Sequence, residues 1–253
     1  MALSDSHEFC SAIKRGTDFL DRLLREEGTI YGVTTGYGDS CTVPVPLELV
    51  AELPRQLYVY HGCGLGEYLN PVQTRAVIAT RLTSLSKGFS GVSLELLQQM
   101  VRLLQCDLLP LIPSEGSVGA SGDLTPLSYL AAVLCGEGEV WRNGVQVGAA
   151  QALAAAGIRP LRLRPKEGLA IMNGTAVMTA LACLAYVRAD YLTRLVTRVT
   201  ALASFALDGN AHHFDARLFS VKPHLGQQHV AGWLRQDLPC DQLDPNGKRL
   251  QDR

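Results

Sequence analysis

The sequence predicts a mainly α fold: an N-terminal, loop-bearing region, then the long helices of a bundle, with one short β-hairpin. Three observations predict it. Apolar residues recur at helical spacing over 5–27, 72–87 and 93–109. A strongly apolar segment runs from Asn173 to about Leu207; as one helix of some 34 residues it would extend roughly 50 Å, a length at home in a bundle or at a subunit interface. The strand signal is confined to Asn143-Gly144 between two short β-prone runs, the pattern of a type I′ hairpin. The expected division is 1–165, carrying the loops, and 166–253, where the bundle begins.

In chain order, Phe9, Ile13, Leu20, Leu23 and Leu24 mark an amphipathic first helix that Gly28 ends. Tyr31-Gly32-Val33-Thr34-Thr35-Gly36-Tyr37-Gly38 follows as a surface loop with a phenol at each end. Pro44 and Pro46 open a helical segment that Pro54 should kink or divide, and it runs into Tyr60-His61-Gly62-Cys63-Gly64. Leu97, Val101, Leu104 and Leu108 form one stripe of a helix that stops at Pro110; this stripe is core. After the hairpin a short helix ends at Gly157, and Pro160 to Pro165 is extended and basic. Arg188, Arg194 and Arg198 mark the wet side of the long helix, which Asp208-Gly209-Asn210 should end.

The chain has 253 residues, 47% of them hydrophobic, enough for a sizeable core. A net charge of −1 argues against a nucleic-acid partner. The 7 cysteines are odd in number and include no C-x-x-C pair, which reads as reduced thiols of a cytoplasmic protein. Asp5 and Glu8 and the lack of an early apolar run leave no visible signal peptide. The longest apolar run, Ala176 to Val187, is too short to span a bilayer, so no membrane role is expected. His212, His213, His224 and His229 have no carboxylate at ligand spacing, and a metal site is not expected.

The stretch that organises the chain is Glu115-Gly116-Ser117-Val118-Gly119-Ala120-Ser121-Gly122-Asp123-Leu124-Thr125-Pro126. Its glycines free the backbone on either side of Ser121, and Thr125 as N-cap with Pro126 at the first helical position starts a helix that Gly136 closes. A phosphate loop would need a Lys after its last glycine, and a hydrolase elbow would need G-x-S-x-G; neither pattern is met. An ordinary glycine-rich turn remains open on these residues alone.

Ala120-Ser121-Gly122-Asp123 resembles the signature of the aromatic amino acid ammonia-lyase family, which includes histidine, tyrosine and phenylalanine lyases and related aminomutases. The resemblance implies that Ala120, Ser121 and Gly122 condense into a 4-methylidene-imidazol-5-one, an electrophile made from the chain itself, with no metal and no nucleotide. The Gly122 nitrogen must attack the Ala120 carbonyl carbon, and amide resonance makes it a poor nucleophile unless the backbone is compressed. Small residues at 120 and 122 allow that compression.

Three further stretches resemble the family in the same order. Tyr31 to Gly38 is similar to its YGVNTGFG motif, with Thr34 for Asn and Tyr37 for Phe, which makes Tyr31 the catalytic base. A phenol, with an ordinary pKa of about 10, needs surroundings that favour its ionised form for that role. Tyr60-His61-Gly62 is similar to the SHAAG-like motif of the histidine and tyrosine enzymes, with Tyr60 for Ser, so His61 would contact the substrate ring. Lys166 to Thr175 carries Asn173, which reads from its own type as a helix N-cap and by resemblance lies beside the imidazolone and the substrate carboxylate. Gly38 and Asp123 close their motifs as supporting residues. Phe214-Asp215-Ala216-Arg217 and Lys222 to Gln227 are similar to a later family segment, and Leu250 to Arg253 to the start of another.

The resemblance implies elimination of ammonia from an aromatic L-amino acid, histidine to urocanate first, with tyrosine to 4-hydroxycinnamate or an aminomutase reaction as alternatives. It also implies a homotetramer, in which the Tyr31 loop would serve a neighbour's Ser121, and a C-terminal portion of the same enzyme supplying a second tyrosine and a carboxylate-clamping arginine. A truncated remnant active only in assembly, and a hydrolase using Ser121, are the readings from other classes.

Overall fold

The computed structural model describes residues 2–26, 28–119, 121–238 and 251. Helices dominate these residues and the strands are short, as predicted. By internal contacts the chain divides into Met1–Cys183 and Leu184–Arg253.

The first unit opens with α1 (His7–Arg25), capped by the Ser6 hydroxyl accepting from the Phe9 N–H. A short 3₁₀ turn at Leu47–Leu49 and α2 (Leu53–His61) come next; Pro54 lies in the first turn of α2, so it divides the segment rather than kinking it. Then come β1 (Leu65–Tyr68), α3 (Pro71–Leu85) and α4 (Leu94–Gln105). Asn70 and Gln73 build a capping box on α3, and the Ser93 hydroxyl caps α4. After β2 (Leu109–Pro110) and β3 (Pro113–Glu115), α5 (Leu124–Leu134) leads to the hairpin β4 (Glu139–Arg142) and β5 (Val145–Gly148). Asn143 and Gly144 both take positive φ, 51° and 78°, as a type I′ turn demands. α6 (Ala149–Ala155), α7 (Glu167–Met172) and the start of α8 (Ala176–Ala206) complete the unit.

Two strand pairings go beyond the predicted hairpin. β2 adds to β4, giving the order β2-β4-β5, and β1 pairs antiparallel with β3. Strands of two to four residues are too short to show an alternation. The core joins Ile78 and Leu85 of α3, Leu96, Leu97 and Met100 of α4, and Leu127 and Leu130 of α5. α5 is buried on most of its surface and packs against both α2 and α7, which touch one another. That packet of three helices positions the loops described below.

The second unit holds the rest of α8, a 3₁₀ turn at Ala211–Phe214, α9 (Ala216–Ser220) and α10 (Leu225–Asp237). Ala201, Ala211, Leu234 and Leu238 form its small core. Arg198 pairs with Asp237, and the Arg194 guanidinium sits 4.9 Å from the centre of the Trp233 ring. Asp208, at φ 55°, ends α8 where the sequence placed its end. Tyr186, Leu202 and Phe205 on α8 are each about 70% exposed, so its surface is apolar as well as charged. By length and composition alone, Glu167–Ala206 could cross a membrane, which the shorter run counted in the sequence did not register. The helical stretch is interrupted between Met172 and Ala176, and α8 carries Arg188, Asp190, Arg194 and Arg198, charges that a bilayer interior disfavours.

Candidate active site

The site begins with a loop that its own hydrogen bonds hold in place. The Thr34 hydroxyl accepts from the Ile30 N–H at 2.8 Å and donates to the Gly28 carbonyl at 3.1 Å. Thr35 accepts from the Gly32 N–H, and Val45 donates its N–H to the Thr34 carbonyl. Thr34, the departure from the family pattern, therefore closes the loop at its base. Gly32 takes φ +66°, and a Cβ there would meet the Tyr37 ring at 2.6 Å. The turn leaves Tyr31 half exposed, its phenol oxygen accepting from the Gly38 N–H at 2.9 Å. The two rings meet edge to face, centroids 6.5 Å apart. Burial, and then the neighbouring Tyr31, push the Tyr37 phenol up to about 12.

His61 is the last residue of α2. Its Nδ1 lies 2.8 Å from the Leu57 carbonyl oxygen, which can only accept, so Nδ1 carries the proton and a neutral ring keeps Nε2 as its acceptor. Tyr60 stands beside it with ring centroids 5.1 Å apart.

The third component is the glycine-rich loop before α5. Ser121 takes φ +61°, a left-handed conformation that costs a residue with a Cβ about 1 kcal/mol or more. Gly122 follows at φ +104°, so close to Gly174 that a Cβ would overlap its backbone. The Asp123 N–H donates to the Gly174 carbonyl at 2.8 Å. This strained, closely packed backbone fits the demands of a self-condensing tripeptide. Ala120 lies outside the described residues.

α5 starts at Leu124 with Asp123 at its cap position, so Thr125 is not the N-cap and Pro126 is not the first helical residue. The reason lies in Asp123, buried to 4% exposure, whose backbone starts the helix while its carboxylate serves another. Oδ2 accepts from the Val177 and Met178 N–H groups at 2.9 and 3.1 Å, satisfying the N-terminus of α8, and Oδ1 accepts from the Ser117 hydroxyl at 2.8 Å. Gly136, at φ +81°, lies just past the end of α5 as expected.

Asn173 likewise departs from its expected role as an N-cap. It closes α7, donating its N–H to the Leu169 carbonyl at 2.8 Å, and α8 starts only at Ala176. The guanidinium of Arg81 ends α7 by taking the Ala170 and Asn173 carbonyls, the second at 2.8 Å. Burial lowers the Arg81 pKa to about 10, against the pull of Asp123.

Tyr31, Gly38, His61, Ser121 and Asn173 all line one cavity of about 570 Å³. Asp123 is not on its wall but supports the loop and α8 behind it. Tyr31 reaches the cavity that holds Ser121 within one chain, so the expectation that its loop serves a neighbour's Ser121 is corrected: the Gly32 turn folds it against Tyr37 and Leu169 of the same chain. Tyr37, Tyr60, Gln56 and an apolar wall of Leu53, Leu57, Leu124 and Leu169 also line it. The sequence reading missed that wall, whose leucines look like any helical core stripe. It missed Arg81 too, although an arginine between Ile78 and Leu82 in a buried helix face is a readable signal. Among the described residues, no group of three His, Cys, Asp or Glu is placed to hold a metal ion.

The family model described as aromatic amino acid lyase matches residues 1–253. Histidine ammonia-lyase from Bos taurus is 40% identical over 231 residues, 90% of this chain and 35% of that protein. Histidine ammonia-lyase from Symbiobacterium thermophilum is 38% identical over 95% of this chain and 48% of its own length. Among solved structures, tyrosine aminomutase from Streptomyces globisporus superposes with a TM-score of 0.86 at 38% identity, covering 91% of this chain and 44% of that one. The chain thus spans less than half the length of these relatives.

Proposed function

The chain belongs to the aromatic amino acid lyase family, and from that footing we propose that its cavity serves the non-oxidative elimination of ammonia from an aromatic L-amino acid, histidine to urocanate first. The observation that carries this reading is the convergence of Tyr31, His61, Ser121 and Asn173 on one cavity from four separate stretches of sequence.

Condensed, Ala120-Ser121-Gly122 supplies an electrophile for the substrate amine, which then leaves more readily. Tyr31 takes the β-proton; the C–N bond breaks, a C=C bond forms, and ammonia and the trans-arylacrylate depart. The Gly38 N–H donates to the oxygen that carries the charge of the phenolate. Tyr37, held as the neutral phenol, adds no second negative charge beside it. The Asn173 carboxamide, donor and acceptor at once, holds the substrate carboxylate next to the reacting tripeptide. Nε2 of His61 accepts a hydrogen bond from the ring of the substrate. The leucines exclude water around the aryl group.

Imidazole and phenol can both donate to Nε2, so tyrosine, as lyase or aminomutase substrate, is the second reading. Tyr60, an exposed aromatic ring beside His61, adds to the aryl-binding wall for either ring. We further propose a cytoplasmic homotetramer, with the bundle that begins at residues 166–253 and the carboxylate clamp completed by a C-terminal portion of the enzyme.

The test is intact mass and ultraviolet difference absorbance of the purified chain and its Ser121→Ala variant. Loss of two waters from the first and not the second, with urocanate released from histidine by the full-length enzyme, supports the reading. An uncondensed tripeptide in the full-length enzyme removes it in favour of an inert assembly role, and labelling of Ser121 by a fluorophosphonate would favour the hydrolase instead.

A further inference from the structure

Arg81 sits on the buried face of α3 with Thr74, Val77, Ile78, Leu82 and Leu85, all apolar but the threonine. A leucine would pack there without the cost of burying a cation. Arg81 is 6% exposed, and its Nε is buried without a hydrogen-bond partner. Nη2 donates to the Ala170 and Asn173 carbonyls. A Cβ on Gly174 would overlap the guanidinium, and Gly122 lies against the Gly174 backbone. One glycine thus separates the buried cation from the backbone that must condense.

We propose that Arg81 is a positioning residue: its guanidinium fixes the Asn173-Gly174 turn as the surface against which Ser121-Gly122 is pressed, so that condensation and the aim of the Asn173 carboxamide both depend on it. This rests on the lyase reading above. In the condensation the Gly122 nitrogen bonds to the Ala120 carbonyl carbon, whose oxygen leaves as one water. Ser121 loses its hydroxyl and α-hydrogen as the second, so no oxidant is needed. Arg81 acts through the Ala170 and Asn173 carbonyls. Lysine in its place would keep a charged donor but lose the planar guanidinium, whose second terminal nitrogen, Nη1, lies against Gly174 while Nη2 holds the carbonyls. Gly174 has room for no side chain while Arg81 is in place, yet its φ is not in the left-handed region, so an alanine there displaces the guanidinium without straining the backbone.

The experiment compares full-length wild type, Arg81→Lys and Gly174→Ala for loss of two waters by intact mass during refolding, for kcat and KM, and for thermal midpoint. Expected are slowed or incomplete condensation in both variants and, per condensed chain, a kcat reduced roughly 100-fold. A double variant with Asn173→Ala should be little worse than Asn173→Ala alone. Normal condensation with normal kcat in Arg81→Lys overturns the proposal, even if the midpoint falls, and so do independent, multiplying losses in the double variant. If Arg81→Lys does not fold, Gly174→Ala decides, and wild-type condensation in it overturns the proposal. Wild type that never loses two waters overturns the lyase reading and this inference with it, whereas condensed wild type beside an unaffected variant overturns only the inference.

Discussion

The Gly38 N–H points at the phenol oxygen of Tyr31 across 2.9 Å, seven residues along a loop folded back on itself. The bond leaves the phenol hydrogen unengaged by Gly38 and provides a donor for the oxygen when that hydrogen is gone. Tyr31→Phe removes the base but leaves the ring, and kcat should fall by about 10³-fold or more while two waters are still lost from the tripeptide. Steady-state kinetics beside intact mass checks this; near-normal turnover would mean that another group takes the β-proton.

Tyr37 should make its mark on stability at high pH. Its phenol is raised to about 12 in the fold, first by burial and then by Tyr31, against an ordinary value of about 10 in the unfolded chain. The neutral form is the one the fold favours, so this contribution is complete below about pH 10 and lost as pH rises through 12. Tyr37→Phe removes that segment of the loss. Between about pH 9 and pH 11 the urea midpoint of wild type should therefore fall further than that of the variant. A constant separation would remove Tyr37 as the cause.

Asp123 joins three elements through one buried carboxylate, and its removal should show what that junction contributes. Alanine leaves the Val177 and Met178 N–H groups unmet and Arg81 without its counter-charge. The expected loss is about 3 kcal/mol of unfolding free energy. Asparagine keeps one acceptor oxygen, and its cost should be smaller, about 1–2 kcal/mol. Denaturant titration measures both, and equal costs would show that the accepted hydrogen bonds matter less than the charge.

What the sequence reveals here follows the range of the forces involved. The Asn143-Gly144 turn is local chemistry and stands where the residues place it. The cap readings of Thr125 and Asn173 fail because the decisive partners are distant in sequence: Asp123 bonds α8 across more than fifty positions, and Arg81 closes α7 from about ninety away. A cap reading considers only a residue's neighbours, so it assigned the N-cap of α5 to Thr125 and that of the long helix to Asn173. The apolar cavity wall was hidden for the opposite reason, since Leu53, Leu57, Leu124 and Leu169 obey the same periodicity whether they face a core or a substrate.

His61 carries the prediction on which substrate choice turns. The Leu57 carbonyl holds its Nδ1 proton and keeps the ring from turning over, so the nitrogen left for a ligand is fixed by the end of α2. An acceptor covered by the bound substrate discriminates most sharply against a ring with nothing to donate, because it is then left unpaired. His61→Leu removes the acceptor and extends the apolar wall. The ratio of kcat/KM for histidine to that for phenylalanine should therefore fall roughly 10- to 100-fold. Most of the change for histidine should appear in KM, since the ring nitrogen is engaged equally before and during bond breaking. A ratio that does not move, with both substrates slowed alike, would place His61 in the chemistry of the elimination and not in reading the ring.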